Sequence, residues 1–399
     1  MNARDVVFVD GETSSQVEEF LRYIAELKSV ENVDSYVANL KDAKVADILN
    51  ESKEVLARSP EKKVEAVYNQ LFAIVLTQST DSSSDDSVAE IVKDLEANVE
   101  NGAVGLKVLN NLYNLLPSTD IRRQVFEAIV RVAAKTSLLA TILPLISRLP
   151  KMFEEWSVEE QTKAQVLLLV RDSLDKAQFT SEAYETELVF LQSISAEASQ
   201  TKEVATSAIV HFVNLTAVCD LDALASQPAV QTLNKEQKLG DAGVLLEALL
   251  SSDYKAWKQF AQDKAAVLAS LGVDAEKASD KVRLLTVASL AAESLGQDVP
   301  FAAVAQAIEV DEDEVEVWII DVIRAGLIQG KMNQVTRTVL PTRSTYRTFG
   351  EDQWKLLASR LDMWKESLEK LQPVIANAKL VAQQQAMQMA GQARVTIKE

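Results

Sequence analysis

From about Ser14 to Leu271 the chain alternates stretches whose apolar residues recur at spacings of three and four with short polar breaks, the pattern of one amphipathic helix after another. In "VGLKVLNNLYNLLPSTDIRRQVFEAIVRVAAK", residues 104–135, Leu106, Leu109, Leu112, Tyr113 and Leu116 fall on one helix face. Pro117 then stops that helix, and Ser118 to Asp120 offer capping side chains for the next. "TKAQVLLLVRDSLDKAQFTSEAYETELVFLQSI", residues 162–194, repeats the theme. Each unit reads as a helical hairpin of roughly 33 to 45 residues whose apolar face is too large to cover alone. Such hairpins stack, so the expected class is an all-α helical-repeat (TPR/HEAT-like) solenoid of right-handed sense.

The pattern changes between residues 281 and 348. "KVRLLTVASLAAESLG" reads as a helix with Leu284, Leu285, Ala288 and Leu295 inward and Gly296 closing it. "VPFAAVAQAIEV" reads as a second, short helix with Pro300 in its first turn. A third starts at Asp311 as N-cap, sets Glu312, Asp313 and Glu314 against the positive end of its dipole, and buries Val315, Trp318, Ile319, Val322 and Ile323 before Gly326. "LIQGKM" and "RTVLP" alternate as two strands of a small β-hairpin. Three helices and a hairpin make a winged helix. Such modules often lay the third helix in the DNA major groove. Here that helix carries Glu312, Asp313, Glu314, Glu316 and Asp321 against Arg324 alone, so DNA phosphates would be repelled and protein contact is expected instead.

Beyond the hairpin, Trp354, Leu357, Leu361, Trp364, Leu368, Leu371 and Ile375 keep a strict alternation of three and four, a heptad seam. Trp354 and Leu357 can pack either on the chain's own winged helix or on another chain; farther along, partner helices are the expectation. Pro373 in "LQPV" should kink or split the C-terminal helices. "STDSSSDD", residues 79–86, reads as a solvated acidic loop. The expected divisions are 1–180 (N-terminal repeats), 181–348 (repeats to about 280, winged helix 281–348) and 349–399 (C-terminal helices and tail).

Composition narrows the function. The 399 residues are 47% hydrophobic with 11 Gly and 8 Pro, enough for a large helical core. The net charge of -18 makes nucleic acid and anionic membrane poor partners for the surface as a whole. A local exception is a basic strip, Arg324, Lys331, Arg337, Arg343 and Arg347, with no acid between Val322 and Gly350. Local RNA contact and pairing with an acidic neighbouring subunit are its two readings. The longest uncharged run, residues 136–147, is too short to span a bilayer, and the first residues are unlike a signal peptide, so a cytoplasmic protein is expected.

Chemistry is sparse. His211 is the only histidine and sits in an apolar helix, reading as structural; Cys219 is the only cysteine. These two exclude H-E-x-x-H and multi-thiolate zinc sites, and no third group orients them as a catalytic pair. "NGAVG" lacks the spacing of a phosphate cradle, and "DEDE" lacks that of a calcium loop. No enzyme activity, cofactor or metal is expected.

A helical-repeat array running into an acidic-capped winged helix resembles the PCI family, shared by subunits of the proteasome lid, the COP9 signalosome and eukaryotic translation initiation factor 3. "VEVWIIDVIRAGLI" is similar to that family's third winged-helix segment. "STYRTFGEDQWKLLASRLDMWKESLEKL", "FEEWSVEEQTKAQVLLLVRDSL" and "KVRLLTVASLAAES" resemble its translation initiation factor 3 branch. The likeness is weak in the first hundred residues and after Pro373. It implies a non-catalytic scaffold that supports assembly of the preinitiation complex on the small (40S) ribosomal subunit and mRNA recruitment. Its partners would be other initiation factor 3 subunits, met at two places: an exposed strand edge at 336–341, carried by Arg337, Val339, Arg343 and Arg347, and the helical seam of Trp354, Leu357, Leu361, Trp364, Leu368 and Leu371. The alternatives are a scaffold of the signalosome or proteasome lid, and an RNA-binding adaptor.

Overall fold

The computed structural model describes residues 13–40, 45–53, 60–78, 81–98, 101–116, 120–195, 200–251, 253–348 and 350–395. The N-terminal residues to Glu12, and Pro117 with Ser118, lie outside them. The chain divides into two compact units, Met1–Cys219 with Ala223–Arg283, and Asp220–Asp222 with Leu284–Glu399.

The first unit is a helical-repeat stack. The helix Gly102–Leu115 pairs with Asp120–Lys135, the latter with Glu160–Lys176, and so on through Thr180–Ser193, Thr201–Asn214 and Asp241–Ser251. Sequence spacing explains each face: Leu109, Leu112, Tyr113 and Leu116 are buried, and across from them Val125, Phe126, Ile129 and Val130 close the hairpin. Asn101 caps the first of these helices, its Oδ1 accepting from the Ala103 amide at 3.1 Å, so "NGAVG" is a helix start. The acidic run expected as a loop is helical from its third residue: Asp81–Asn98 is one helix. Ser and Asp are favoured at helix starts, where they suit the orphan amides and the dipole, so polarity alone did not mark a loop.

Two helices of this unit are locked end to start. Asn214 Nδ2 donates to the Gly272 carbonyl at 3.1 Å while its Oδ1 accepts from the Asp274 amide at 3.0 Å. Asp274 in turn caps the helix Ala275–Glu293 by accepting from the Glu276 amide at 3.1 Å. Lys281, on that helix, donates to the carbonyls of Phe212 and of Leu215, the latter at 2.7 Å, satisfying acceptors that the end of Thr201–Asn214 leaves open.

The second unit is the winged helix. Its helices are the turns of Ala275–Glu293 from Leu284 on, Phe301–Ile308 and Val315–Arg324. The sheet has three antiparallel strands, β1 (Val299–Pro300), β2 (Ile328–Asn333) and β3 (Thr338–Ser344), in the order β1-β3-β2. Leu285, Ala288, Phe301, Val304, Ile308, Val315, Ile319, Val322, Ile328 and Val339 form its core. Gly330 is required by close approach, since a Cβ there would lie 2.7 Å from the Leu340 carbonyl oxygen.

Three expectations change here. The first helix begins at Ala275, before Lys281, because Asp274 caps it. Val299 and Pro300 form a strand, not the opening of the second helix. The third helix starts at Val315: Asp311 to Glu314 make a preceding turn, with the Glu314 amide donating to the Asp311 carbonyl at 3.0 Å. Of its expected inner face, Ile323 is exposed and Trp318 is half-buried.

Candidate protein-interaction surface

Glu351–Val395 is a single helix of 45 residues. Leu, Ala, Gln, Glu and Lys dominate it, residue types that lose little entropy in a helix. At its start Gln353 Oε1 accepts from the Gly350 amide at 2.9 Å. Pro373 lies inside the helix and does not split it. It removes one backbone hydrogen bond, and the strong helix formers on both sides carry the winding past it.

The expected seam stands bare on this helix. Trp354 is 61% exposed, Leu357 40%, Trp364 67% and Leu368 56%, with Leu361, Leu371 and Ile375 all above half. Trp354 and Leu357 therefore do not bury themselves on the winged helix. Each such side chain forfeits about 1.5–3 kcal/mol while it stays in water. The apolar surface is wider than a seam: Leu356 and Met363, seven residues apart, are exposed beside it, as are Val374, Leu380 and Val381. That seven-residue spacing is readable in the sequence beside the strict three-and-four alternation of the seam. On the winged helix, Val317, Ile320 and Ile323 recur at three-residue spacing and are exposed together.

The sheet edge is not where the sequence placed it. β3 pairs with β2 along its length and with β1 at Val299↔Val339 and Pro300↔Thr338. The Gly296 amide also donates to the Pro341 carbonyl, and the Phe301 amide to that of Arg337, both at 2.9 Å. The two-residue strand β1 makes β3 central, with Val339 buried, and β1 and β2 are the two edges. Arg343, opposite Gln329, and Lys331 are exposed.

The basic strip is partly spent within the chain. Arg337 pairs with Glu312 at 3.3 Å and Asp313 at 3.5 Å, pinning the turn between β2 and β3 to the acidic turn before the third helix. Gln334 reinforces this by donating to Glu316 at 2.9 Å. Arg324 meets Asp321 at 3.5 Å, and half-buried Arg347 donates to the Thr286 hydroxyl at 3.4 Å. Arg324, Arg337 and Arg347 thus have partners within the chain, while Lys331 and Arg343 are exposed.

The chemistry-bearing residues have structural partners. Glu187 is fully buried and accepts from Ser207 Oγ at 2.6 Å; its other oxygen lies 3.0 Å from His211 Nδ1. His211 Nε2 lies 3.6 Å from Asp175. Three successive helices, Glu160–Lys176, Thr180–Ser193 and Thr201–Asn214, are tied by this cluster. The hydrogen bond to Glu187, ahead of the charges of Glu187 and Asp175, raises the His211 pKa against the effect of burial. Burial raises the Cys219 pKa, keeping it a thiol and a poor nucleophile, with its Sγ 3.6 Å from the Thr216 carbonyl. A pocket of about 170 Å³ lined by Leu143, Leu167 and Val189 also carries Glu182, Glu185, Ser147 and Thr186, whose two hydroxyls donate to the Pro144 carbonyl at 3.0 Å and the Glu182 carbonyl at 2.8 Å. Among the described residues no three His, Cys, Asp or Glu side chains converge as metal ligands, and no helix is long and apolar enough to cross a membrane.

Comparison with known proteins gives the same bare helix a name. The PCI domain matches residues 262–342, and the description "eIF3 subunit M, C-terminal helix" matches residues 347–375. Proteins named eukaryotic translation initiation factor 3 subunit M from Phaeosphaeria nodorum, Coccidioides immitis and Dictyostelium discoideum are 31%, 28% and 27% identical to this chain. Those alignments cover 93%, 94% and 89% of this chain and 88%, 88% and 87% of the relatives. With a helical-repeat stack, a winged helix and an exposed terminal helix in the matching order, the chain belongs to the eukaryotic translation initiation factor 3 subunit M family.

Proposed function

We propose that this chain is a non-catalytic scaffold subunit of a cytoplasmic translation initiation factor 3 complex. In this reading residues 1–180 are a repeat arm, 181–348 the PCI region that docks on neighbouring PCI subunits, and 349–399 a helical clamp. Through the assembled complex the chain supports preinitiation complex formation on the small (40S) ribosomal subunit and mRNA recruitment. The exposed heptad seam carries the reading, because a helix with so much apolar surface in water is stabilised only by other helices. The free edge of β2 and the exposed Arg343 beside it offer a second contact by strand addition.

The test is the double substitution Trp364→Asp and Leu368→Asp in the full chain. Both side chains are exposed, so folding should be unchanged by circular dichroism, while recovery of the other initiation factor subunits on affinity purification should fall at least tenfold. Full recovery would remove the basis of the proposal.

A further inference from the structure

Arg360 occupies an unusual place on the terminal helix. Its neighbours one turn away are Leu356 and Leu357 on one side and Met363 and Trp364 on the other. All four are exposed, from 40% for Leu357 to 67% for Trp364. Arg360 is a cation at the centre of an apolar patch. Among the described residues it forms no ion pair and no hydrogen bond, whereas Lys355 and Lys370 meet Glu351 at 2.7 Å and Glu366 at 4.0 Å. Asp362, two residues on, and Glu351 and Glu369, nine residues to either side, lie on the opposite side of the helix at 3.6 residues per turn.

Whatever covers the four apolar side chains also takes Arg360 out of water. A guanidinium does not lose its proton, and a buried charge is tolerated only when it is paired and hydrogen-bonded. The covering surface must therefore bring its own anion. A second copy of this helix does not: parallel in-register packing would set Lys365 of that copy, not an acid, near Arg360. A nucleic acid backbone would bring phosphate but leave Leu356, Leu357, Met363 and Trp364 uncovered.

Resting on the scaffold reading above, we propose that Arg360 forms a buried, bidentate salt link with a carboxylate on a helix of a different protein chain, and that this link sets the register in which the terminal helix docks.

The proposal is tested in the assembled, purified complex carrying the full chain. With Arg360→Lys, zero-length carbodiimide coupling and peptide mapping should join position 360 to one Asp or Glu of another protein. Arg360→Glu should weaken retention of the chain in a salt wash at least tenfold, and changing the mapped acid to Lys should restore it. Coupling to a second copy, nuclease-sensitive retention, absence of coupling, or undiminished retention of Arg360→Glu would each overturn it. Trp364→Asp with Leu368→Asp separates the two levels. Release by that pair with retention of Arg360→Glu sinks the salt link alone, and retention of both variants sinks the scaffold reading.

Discussion

His211→Ala is expected to lower the unfolding free energy of the chain by about 3–5 kcal/mol, read from urea unfolding at neutral pH. The loss comes less from the histidine than from Glu187, which is fully buried and would keep only the Ser207 hydroxyl as a partner. Taking away one member of a buried pair leaves the other charge desolvated. Replacing both groups, with Glu187→Met and His211→Leu, should recover much of the loss because no charge then remains inside. The pH dependence has a definite sign. The folded pKa of His211 lies above its ordinary 6.5, so the folded chain holds the proton more tightly than the unfolded one. Its stabilisation is complete below about pH 6.5 and is lost as pH rises through the folded value. A His211→Ala protein as stable as the parent throughout that range would mean the cluster does not tie the three helices.

Lys281→Met should give a deficit with the opposite pH trend. Lys281 is buried, and its Nζ lies 3.6 Å from the centre of the Phe212 ring, besides donating to the Phe212 and Leu215 carbonyls. Burial takes its pKa from the ordinary 10.5 down to about 7, with the Cys219 charge opposing slightly. Between those values the unfolded chain carries a proton that the folded chain has released, so stability rises as pH climbs from about 7 toward 10.5 and is lost as pH falls back through 7. The variant lacks this slope but leaves two carbonyls without their donor. Near pH 10 it should be less stable than the parent by about 2–4 kcal/mol. Toward pH 6.5 the gap should close, since an apolar side chain of similar length avoids burying a charge. A gap that stays constant across this range would contradict the buried-lysine account.

The helical stack was legible because its signal is local. Leu109, Leu112, Tyr113 and Leu116 declare a face by spacing alone, and the structure buries them. Gly326, with φ +74°, likewise ends the third helix where only a residue without a side chain is unstrained. What the sequence hid depends on distant partners. β1 is two residues long and cannot show alternation, yet it turns β3 from an edge into the centre of the sheet and leaves β2 as the longer of the two edges. The partners of His211 lie on two other helices, so no spacing in "SAIVHFVNLTAV" reveals them. The partners of Arg337 were hidden for the same reason: Glu312 and Asp313 are far from it in sequence and adjacent to it in the fold. On the terminal helix the expected seam residues from Leu361 to Ile375 are all more than half exposed.

That seam is the centre of the account, and amide hydrogen exchange across residues 354–375 reads it directly. In the isolated chain this stretch is largely exposed and should exchange quickly; in the purified initiation factor complex the same amides should become strongly protected. Equal, rapid exchange in both states would contradict the claim that this helix exists to be covered by other chains.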